Sequence, residues 1–583
     1  MAQIPAETFK HIIIVVQENR TPDNLFGAVP TGTAAGTVCG VEDPFMTGVD
    51  IENGGYGWVP VSGGTRLLEL ICSMSLPLSG YDSDPQVQTG IDHDHDYDLT
   101  NPPCKQLPCG WVADYDSGAR DGFCHEFYDP TWAHPCPSYS YVPLGDPHGD
   151  ISPYYQIAQA YGFGNYMFQT SEGPSFPAHQ FVLSGTSAPV APGVSPPDYL
   201  DFVAELVGSN YGCPSGAVPY WVTPEGTEIS GDPTIAECYA HDTLVTAAAY
   251  CPPNNQEGFC DRPGITWGYY APAATGSHQE SIWIAPLADP QTCYGSKGAQ
   301  LGNPACPSGP NTEFGNHVHL AGQNGYSQAP IFDDLYNCSK PFPAISWVIP
   351  DMNWSDHAMQ KISSDVSVYG PSWVGDIIDG VGEACGGKYW GLTQQPEPTA
   401  VIVTWDDWGG WFDHIAPWAY YRSGNTTSCP TGDAPNGWGC GYVSGFRVPL
   451  LVVSPYTGTP TSSGPTNYVS GACGPGTPNG NCPNFGKNNV YVHDFGSILA
   501  FTEYNFGLPN IDQVDNGYAD CNAPDWGSSG CPNGNIPLLD FFGLYPNARQ
   551  FVSITTDKLY TWFQQASSSD FPGSTYPGDP DDD

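Results

Sequence analysis

The stretch Val401-Ile402-Val403-Thr404-Trp405-Asp406-Asp407-Trp408-Gly409-Gly410-Trp411-Phe412-Asp413-His414 begins as one kind of structure and ends as another. Val401, Ile402 and Val403 are β-branched residues in succession, the pattern of a strand buried on both faces. The run stops at Asp406-Asp407 and breaks at Gly409-Gly410. Two adjacent carboxylates at the end of a buried strand repel each other and lose hydration, so a cation must compensate them. A hard divalent metal bound through oxygen is the usual answer. The plainer alternative is an Asp-rich turn in an acidic protein.

The other end of the chain bears on that choice. Phe9 to Gln17 (Phe-Lys-His-Ile-Ile-Ile-Val-Val-Gln) is a second apolar, β-branched run, and it too ends in ligand types, Glu18-Asn19-Arg20. In an open parallel α/β sheet, sites gather at the carboxyl ends of the strands. Two buried strands hundreds of residues apart therefore predict that Glu18, Asn19, Asp406 and Asp407 converge. An explanation by turns alone has to account for both ends.

Composition sets the bounds. A chain of 583 residues has room for several domains or for one large α/β domain with long insertions. Its 40% hydrophobic and 13% aromatic content is ample for a core. Charged residues are only 13%, about half the usual share. They are one-sided, with 61 Asp and Glu against 15 Lys and Arg, a formal charge of −46. That balance argues against nucleic acid, which needs basic patches, and against an anionic membrane surface. It suits an acidic medium, where protonated carboxylates repel less; a halophilic origin is the competing explanation. The 69 Gly and 60 Pro imply ordered loops rather than disorder, because aromatics are interspersed throughout.

The 20 cysteines point to an oxidising compartment. Short-range pairs flanked by Gly, Pro and Asn read as loop staples: Cys429/Cys440, Cys473/Cys482, Cys521/Cys531, Cys293/Cys306, and farther apart Cys39/Cys72. Zinc is the alternative, but the Cys-x-x-Cys spacing of structural zinc is missing. No basic start or apolar segment precedes Phe9, so the sequence reads as a mature secreted or periplasmic chain with an added Met. No apolar run approaches the length of a membrane span.

In chain order, Asp92-His93-Asp94-His95-Asp96-Tyr97-Asp98 is a polar cluster with two candidate ligands or proton carriers; a solvated acidic loop is the alternative. Residues 154–161 have helical spacing. Gly173-Pro174-Ser175 predicts a tight turn that places Ser175 in the first turn of a helix containing Phe181-Val182-Leu183. A hydroxyl there, beside free backbone N–H groups, suits a phosphate, although an N-cap is the commoner use of serine. Residues 186–340 read as loop-rich, with a strand at 265–270, and His317 and His319 share a side of an extended segment. Strands are predicted at 344–350 and 447–455, a helix at 373–381, and an amphipathic helix at 494–506. Residues 1–565 form one catalytic domain on this reading, and 566–583 an acidic, disordered tail.

Three of these segments together resemble a known family. The opening Glu18-Asn19-Arg20-Thr21-x-Asp23-x-x-Phe26-Gly27, the turn Gly173-Pro174-Ser175 with Pro177 and Ser184-Gly185-Thr186, and the stretch from Thr404 to His414 followed by Arg447-Val448-Pro449 occur in one order. They resemble the bacterial phosphoesterases that join acid phosphatases and phosphatidylcholine-type phospholipases C. The resemblance implies an alkaline-phosphatase-like α/β fold: a mostly parallel central sheet flanked by helices, here with long disulfide-stapled loop insertions. It implies a divalent metal (Ca, Mg, Mn, Fe or Zn) and a small phosphate ester or phospholipid as substrate. Glu18, Asn19, Asp406 and Asp407 take the positions of the metal ligands, and Ser175 that of the nucleophile and a further ligand. His95 and His357 take those of the histidines that hold the phosphate or protonate the leaving group, with His317 or His319 as another. Thr21-Pro22 stands where the family more often has Ser-Phe, and Phe176 and Ala178 where His and Asn are common. Those departures bear on substrate choice.

On this reading Ser175 attacks phosphorus in line, a histidine assists the departing alkoxide, and water cleaves the phosphoserine. A phosphatase is favoured over a phospholipase C, because the chain ends soon after the catalytic region, short of the C-terminal domains many of those phospholipases carry. The alternative from another class is a non-enzymatic secreted metal- or carbohydrate-binding protein, with Asp406-Asp407 as a structural calcium site.

Overall fold

The two apolar runs become neighbouring strands. The computed structural model describes residues 4–27, 45–51, 55–60, 66–71, 78, 141–145, 150–170, 175–185, 202–206, 219–222, 228–230, 243–248, 265–272, 317–357, 369–415, 445–472, 493–508, 538–567 and 570. The strands of its central sheet are, in chain order, β1 (His11–Gln17), β2 (Gly162–Gly164), β3 (Trp267–Ala271) and β4 (Val318–Leu320). They continue with β5 (Ile345–Val348), β6 (Thr399–Trp405), β7 (Leu450–Val453) and β8 (Tyr468–Ser470). The spatial order is β8-β2-β7-β6-β1-β5-β3-β4. Every neighbouring pair is parallel except the two made by β7. The protein is thus of the α/β class, with a mostly parallel sheet.

All residues of β1 and β6 are buried, as their β-branched runs require. Their register sets Gln17 opposite Trp405. Residues 18–19 and 406–407 therefore leave the sheet side by side, at the carboxyl ends of two central strands.

Helices cover the sheet: α1 (Pro22–Phe26), α2 (Ser152–Ala160), α3 (Ser175–Ser184), α4 (Pro330–Leu335), α5 (Gly370–Gly387), α6 (Phe495–Phe506) and α7 (Tyr560–Gln565). α5 packs against α2, α4 and α7, and α3 packs against α6. The stretch 186–340, read as a loop-rich insertion, supplies β3 and β4 to the central sheet and a small three-stranded sheet of its own. The helix at 494–506 is present but is not amphipathic: Glu503 and Asn505 are buried with its apolar residues. Asn505 explains the polar position, since its side chain accepts from Phe9 N–H and donates to Phe9 O, both at 3.0 Å, and so pins the start of β1.

One disulfide lies among the described residues, Cys338–Cys385, bridging positions 47 apart. It ties the loop before β5 to the end of α5. The pairs Cys39/Cys72, Cys293/Cys306, Cys429/Cys440, Cys473/Cys482 and Cys521/Cys531 lie outside the described residues, as do residues 92–98 with His95 and the tail beyond residue 570.

α5 also carries a buried acid. Asp376 accepts from Thr556 Oγ1 at 3.0 Å, and burial pushes its carboxyl up to about 8. Asp379 holds the same segment by accepting from Ile554 N–H at 2.8 Å and Ser553 Oγ at 3.0 Å. A carboxyl whose pKa rises on folding stabilises the fold fully below its unfolded value of about 4, and that stability is lost as pH rises toward about 8. Asp376→Asn, which keeps the acceptor without the charge, is expected to raise the melting temperature at pH 8 and to change it little at pH 4. Equal effects at both pH values in thermal scans would contradict this.

Candidate active site

The site starts from the turn after β1. Asn19 has φ 58°, a left-handed conformation that Asn tolerates better than most residues. Its N–H donates to Asp406 Oδ1 at 3.0 Å, and the Asp407 N–H donates to the same oxygen at 2.8 Å. The strand ladder continues past the sheet through Asp406 N–H to Gln17 O and Arg20 N–H to Asp407 O. Gly409, at φ +63°, donates its N–H to Asp407 Oδ1 at 2.8 Å, and a Cβ there would overlap the Asn19 carbonyl. The Gly-Gly break is thus what allows the two loops to lie against each other.

Ser175 opens α3, as its turn predicts. Its hydroxyl donates to Asp407 Oδ2 at 2.9 Å and lies 3.4 Å from Asn19 Oδ1. Glu18, Asn19, Ser175, Asp406 and Asp407, named from three separate stretches of sequence, are buried at one place.

The residue the sequence reading missed is His179, which is also buried. Four positions after Ser175, it falls on the same face of α3, and that spacing was the available signal. Its Nε2 lies 3.4 Å from both Glu18 Oε1 and Asp406 Oδ2. Burial raises Glu18 to about 8, with the Asp406 charge adding to the effect. Burial works against charge on His179, but Asp406 and Glu18 outweigh it and hold the imidazole at about 10. Burial likewise opposes ionisation of Asp406, yet its contact with His179 depresses it. Glu18 Oε1, His179 Nε2 and Asp406 Oδ2 make no hydrogen bond, and all three lie within 4.8 Å of one another. Buried polar atoms that meet only through ion-pair contacts of 3.4 Å, with no hydrogen bond, are costly unless a ligand joins them. A divalent cation fits this donor set.

His357 follows β5, a strand parallel to its neighbour β1, at the same carboxyl end of the sheet. Gln17 fixes its loop by accepting from Asp356 N–H at 3.0 Å and donating to Trp354 O at 3.3 Å. Asp356 in turn accepts from Tyr154 OH at 2.7 Å and Trp405 Nε1 at 2.9 Å. His317 and His319 sit at β4, the sheet edge. His317 stacks on Trp267 at 4.6 Å, and His319 packs on Tyr270 and Tyr326, each at 4.7 Å.

A second buried cluster braces the loop beyond Gly410. The Arg447 guanidinium donates from Nε and Nη2 to Asp413 at 2.8 and 3.0 Å, from Nη2 to Asp23 Oδ1 at 3.3 Å, and from Nη1 to the carbonyls of Asp50 and Asn165 at 2.8 Å. All five of its N–H donors are thereby used. His414 bridges Asp23 Oδ2 at 2.7 Å and Asp50 Oδ1 at 3.1 Å. Burial opposes its charge, but these carboxylates raise it to about 10. Asp23, Asp413 and His414 could also surround an ion, but Arg447 already supplies their cation. Arg447→Met leaves buried carboxylates uncompensated and is expected to cost about 3–5 kcal/mol of stability. A shift in the urea midpoint worth under about 1 kcal/mol would contradict the bracing role.

The model of the phosphoesterase family matches residues 9–509. The chain is similar to a non-hemolytic phospholipase C of Burkholderia pseudomallei, 26% identical over 219 residues, covering 34% of this chain and 27% of the relative. It is also similar to a hemolytic phospholipase C of Pseudomonas aeruginosa, 22% identical over 382 residues, covering 62% of this chain and 39% of the relative. A non-hemolytic phospholipase C of the same organism is 26% identical over 186 residues, 29% of this chain and 21% of that protein. The matched segments thus span 21–39% of these relatives' own lengths. With the family pattern covering all the strands of the central sheet and the cluster at their carboxyl ends, the chain belongs to the phosphoesterase family.

Proposed function

We propose that the protein is a secreted, metal-dependent phosphoesterase that hydrolyses phosphomonoesters in acid by way of a phosphoserine at Ser175. The observation that carries this reading is the Ser175 hydroxyl at the start of α3, 2.9 Å from Asp407 Oδ2, beside a buried cluster in which Glu18 Oε1, His179 Nε2 and Asp406 Oδ2 face one another without a hydrogen bond. Glu18, Asn19, Asp406, Asp407 and Ser175 Oγ would hold the divalent ion. When bound, such an ion lowers the pKa of the serine hydroxyl and offsets charge on the phosphoryl oxygens. Ser175 Oγ forms the new bond to phosphorus as the ester P–O bond opposite it breaks. His95 and His357 hold the phosphate and give the departing alkoxide its proton. Water then cleaves the phosphoserine and restores the hydroxyl. His317 or His319 is the candidate for a further contact to the phosphate or leaving group.

The core runs from Ile4 to Ala566, which supports reading residues 1–565 as one catalytic domain. The Cys338–Cys385 bridge supports an oxidising compartment. No helix among the described residues is long and apolar enough to cross a membrane.

Acidity supports the phosphomonoester. With 61 acidic against 15 basic side chains, the surface repels a phosphate dianion least at low pH. Phosphomonoesters lose their second negative charge near pH 6. We expect a pH optimum on the acid side of neutrality on a simple phosphomonoester; an optimum above pH 8 would contradict this. The similarity to phospholipases C favours a second reading, phospholipase C action on phosphodiester head groups. Assay of phosphomonoesters, phosphodiesters and phosphatidylcholine, each with and without chelator, separates the two. Chelator-resistant turnover of all three would overturn both.

A further inference from the structure

We infer that His179 is a nitrogen ligand of the metal centre and that it selects an ion of the zinc or iron class over calcium or magnesium. The inference rests on the metal-centred reading above and adds to it a donor of a different chemical kind.

Three observations lead to it. Four residues after Ser175 on α3, His179 is presented by the same helix face as the nucleophile. Its Nε2 stands 3.4 Å from Glu18 Oε1 and 3.4 Å from Asp406 Oδ2. Two donors that each lie about 2.1 Å from one ion in tetrahedral geometry are separated by about 3.4 Å, so the imidazole is spaced as a co-ligand of both acids. Finally, Glu18 Oε1, His179 Nε2 and Asp406 Oδ2 all lack a hydrogen bond, and these are the atoms that face one another.

Calcium and magnesium take oxygen donors almost alone. Imidazole suits zinc and iron. A site made only of Glu18, Asn19, Ser175, Asp406 and Asp407 would be all-oxygen; His179 turns it into a mixed one. The competing role for His179 is a cationic spacer between Glu18 and Asp406. The two roles predict opposite results. A spacer competes with the metal, so its removal leaves affinity unchanged or raises it, whereas loss of a ligand lowers affinity.

The test is equilibrium binding of Zn(II) alone and Ca(II) alone to the full chain, by calorimetry with chelator competition, in wild type and His179→Ala. Expected is a loss of about 100-fold or more in Zn(II) affinity, beyond the roughly 10–100-fold of an outer-shell change, with Ca(II) affinity changed less than about threefold. Unchanged or stronger Zn(II) binding by His179→Ala overturns the ligand role while leaving the metal centre in place. Failure of wild type to bind any divalent ion overturns the underlying reading instead. If the variant does not fold, pulsed EPR of wild type carrying one equivalent of Cu(II) decides the matter: coupling to a directly bound imidazole nitrogen is expected, and its absence overturns the proposal.

Discussion

Ser175→Ala is expected to lower turnover by at least about three orders of magnitude, roughly 4 kcal/mol of transition-state stabilisation, with the fold unchanged. The size follows from the role: a covalent nucleophile has no substitute, so both kcat and kcat/KM should fall together. The fold should survive because Ser175 stands at the start of α3 and its hydroxyl bonds toward the site, to Asp407 at 2.9 Å. Alanine is a good helix former there. Turnover within tenfold of wild type would show that another group attacks phosphorus.

Asp406→Asn should remove activity by a different route. Asp406 Oδ1 accepts from the backbone of Asn19 and Asp407 at 3.0 and 2.8 Å, and an amide oxygen can keep both bonds. The loop therefore stays in place. The other oxygen, Oδ2, becomes an NH2 donor that faces His179 and the metal position. An amide nitrogen does not ligate a cation as a carboxylate does, so metal content by plasma mass spectrometry should fall from one equivalent to near none. Turnover should fall with it, by about three orders of magnitude or more, on the view that the ion stabilises transition-state charge. Full metal content together with lost turnover would move Asp406 out of the ligand set.

How much of this was legible in the sequence depended on what kind of signal each residue gives. That the ends of β1 and β6 converge could be read because both runs are unbroken and β-branched, and both end in acids. The reversed direction of β7 could not, since Leu450 to Val453 is equally apolar whichever way it runs. Ser175 was visible from its Gly-Pro turn. His179 was passed over, although its spacing from Ser175 marks it, because burial beside Glu18 and Asp406 comes only from tertiary packing. Arg447 was read as the beginning of a strand; its role in holding Asp413 and Asp23 depends on contacts with residues far off in the chain. The Cys338–Cys385 bridge was likewise hidden, because short spacing draws attention to local loop pairs and this one spans 47 positions. The helix after Asp494 reads as amphipathic in the sequence, because its Glu and Asn look solvated until Asn505 is seen bonded to Phe9.

The most direct measurement is to mix the wild-type enzyme with a phosphomonoester labelled on phosphorus, quench in acid within a single turnover, and map the label by peptide mass spectrometry. The predicted result is phosphate on the peptide containing Ser175, at a level that rises and falls as substrate is consumed, and none in Ser175→Ala. Label on another residue, or no label while Ser175→Ala remains active, would contradict the account.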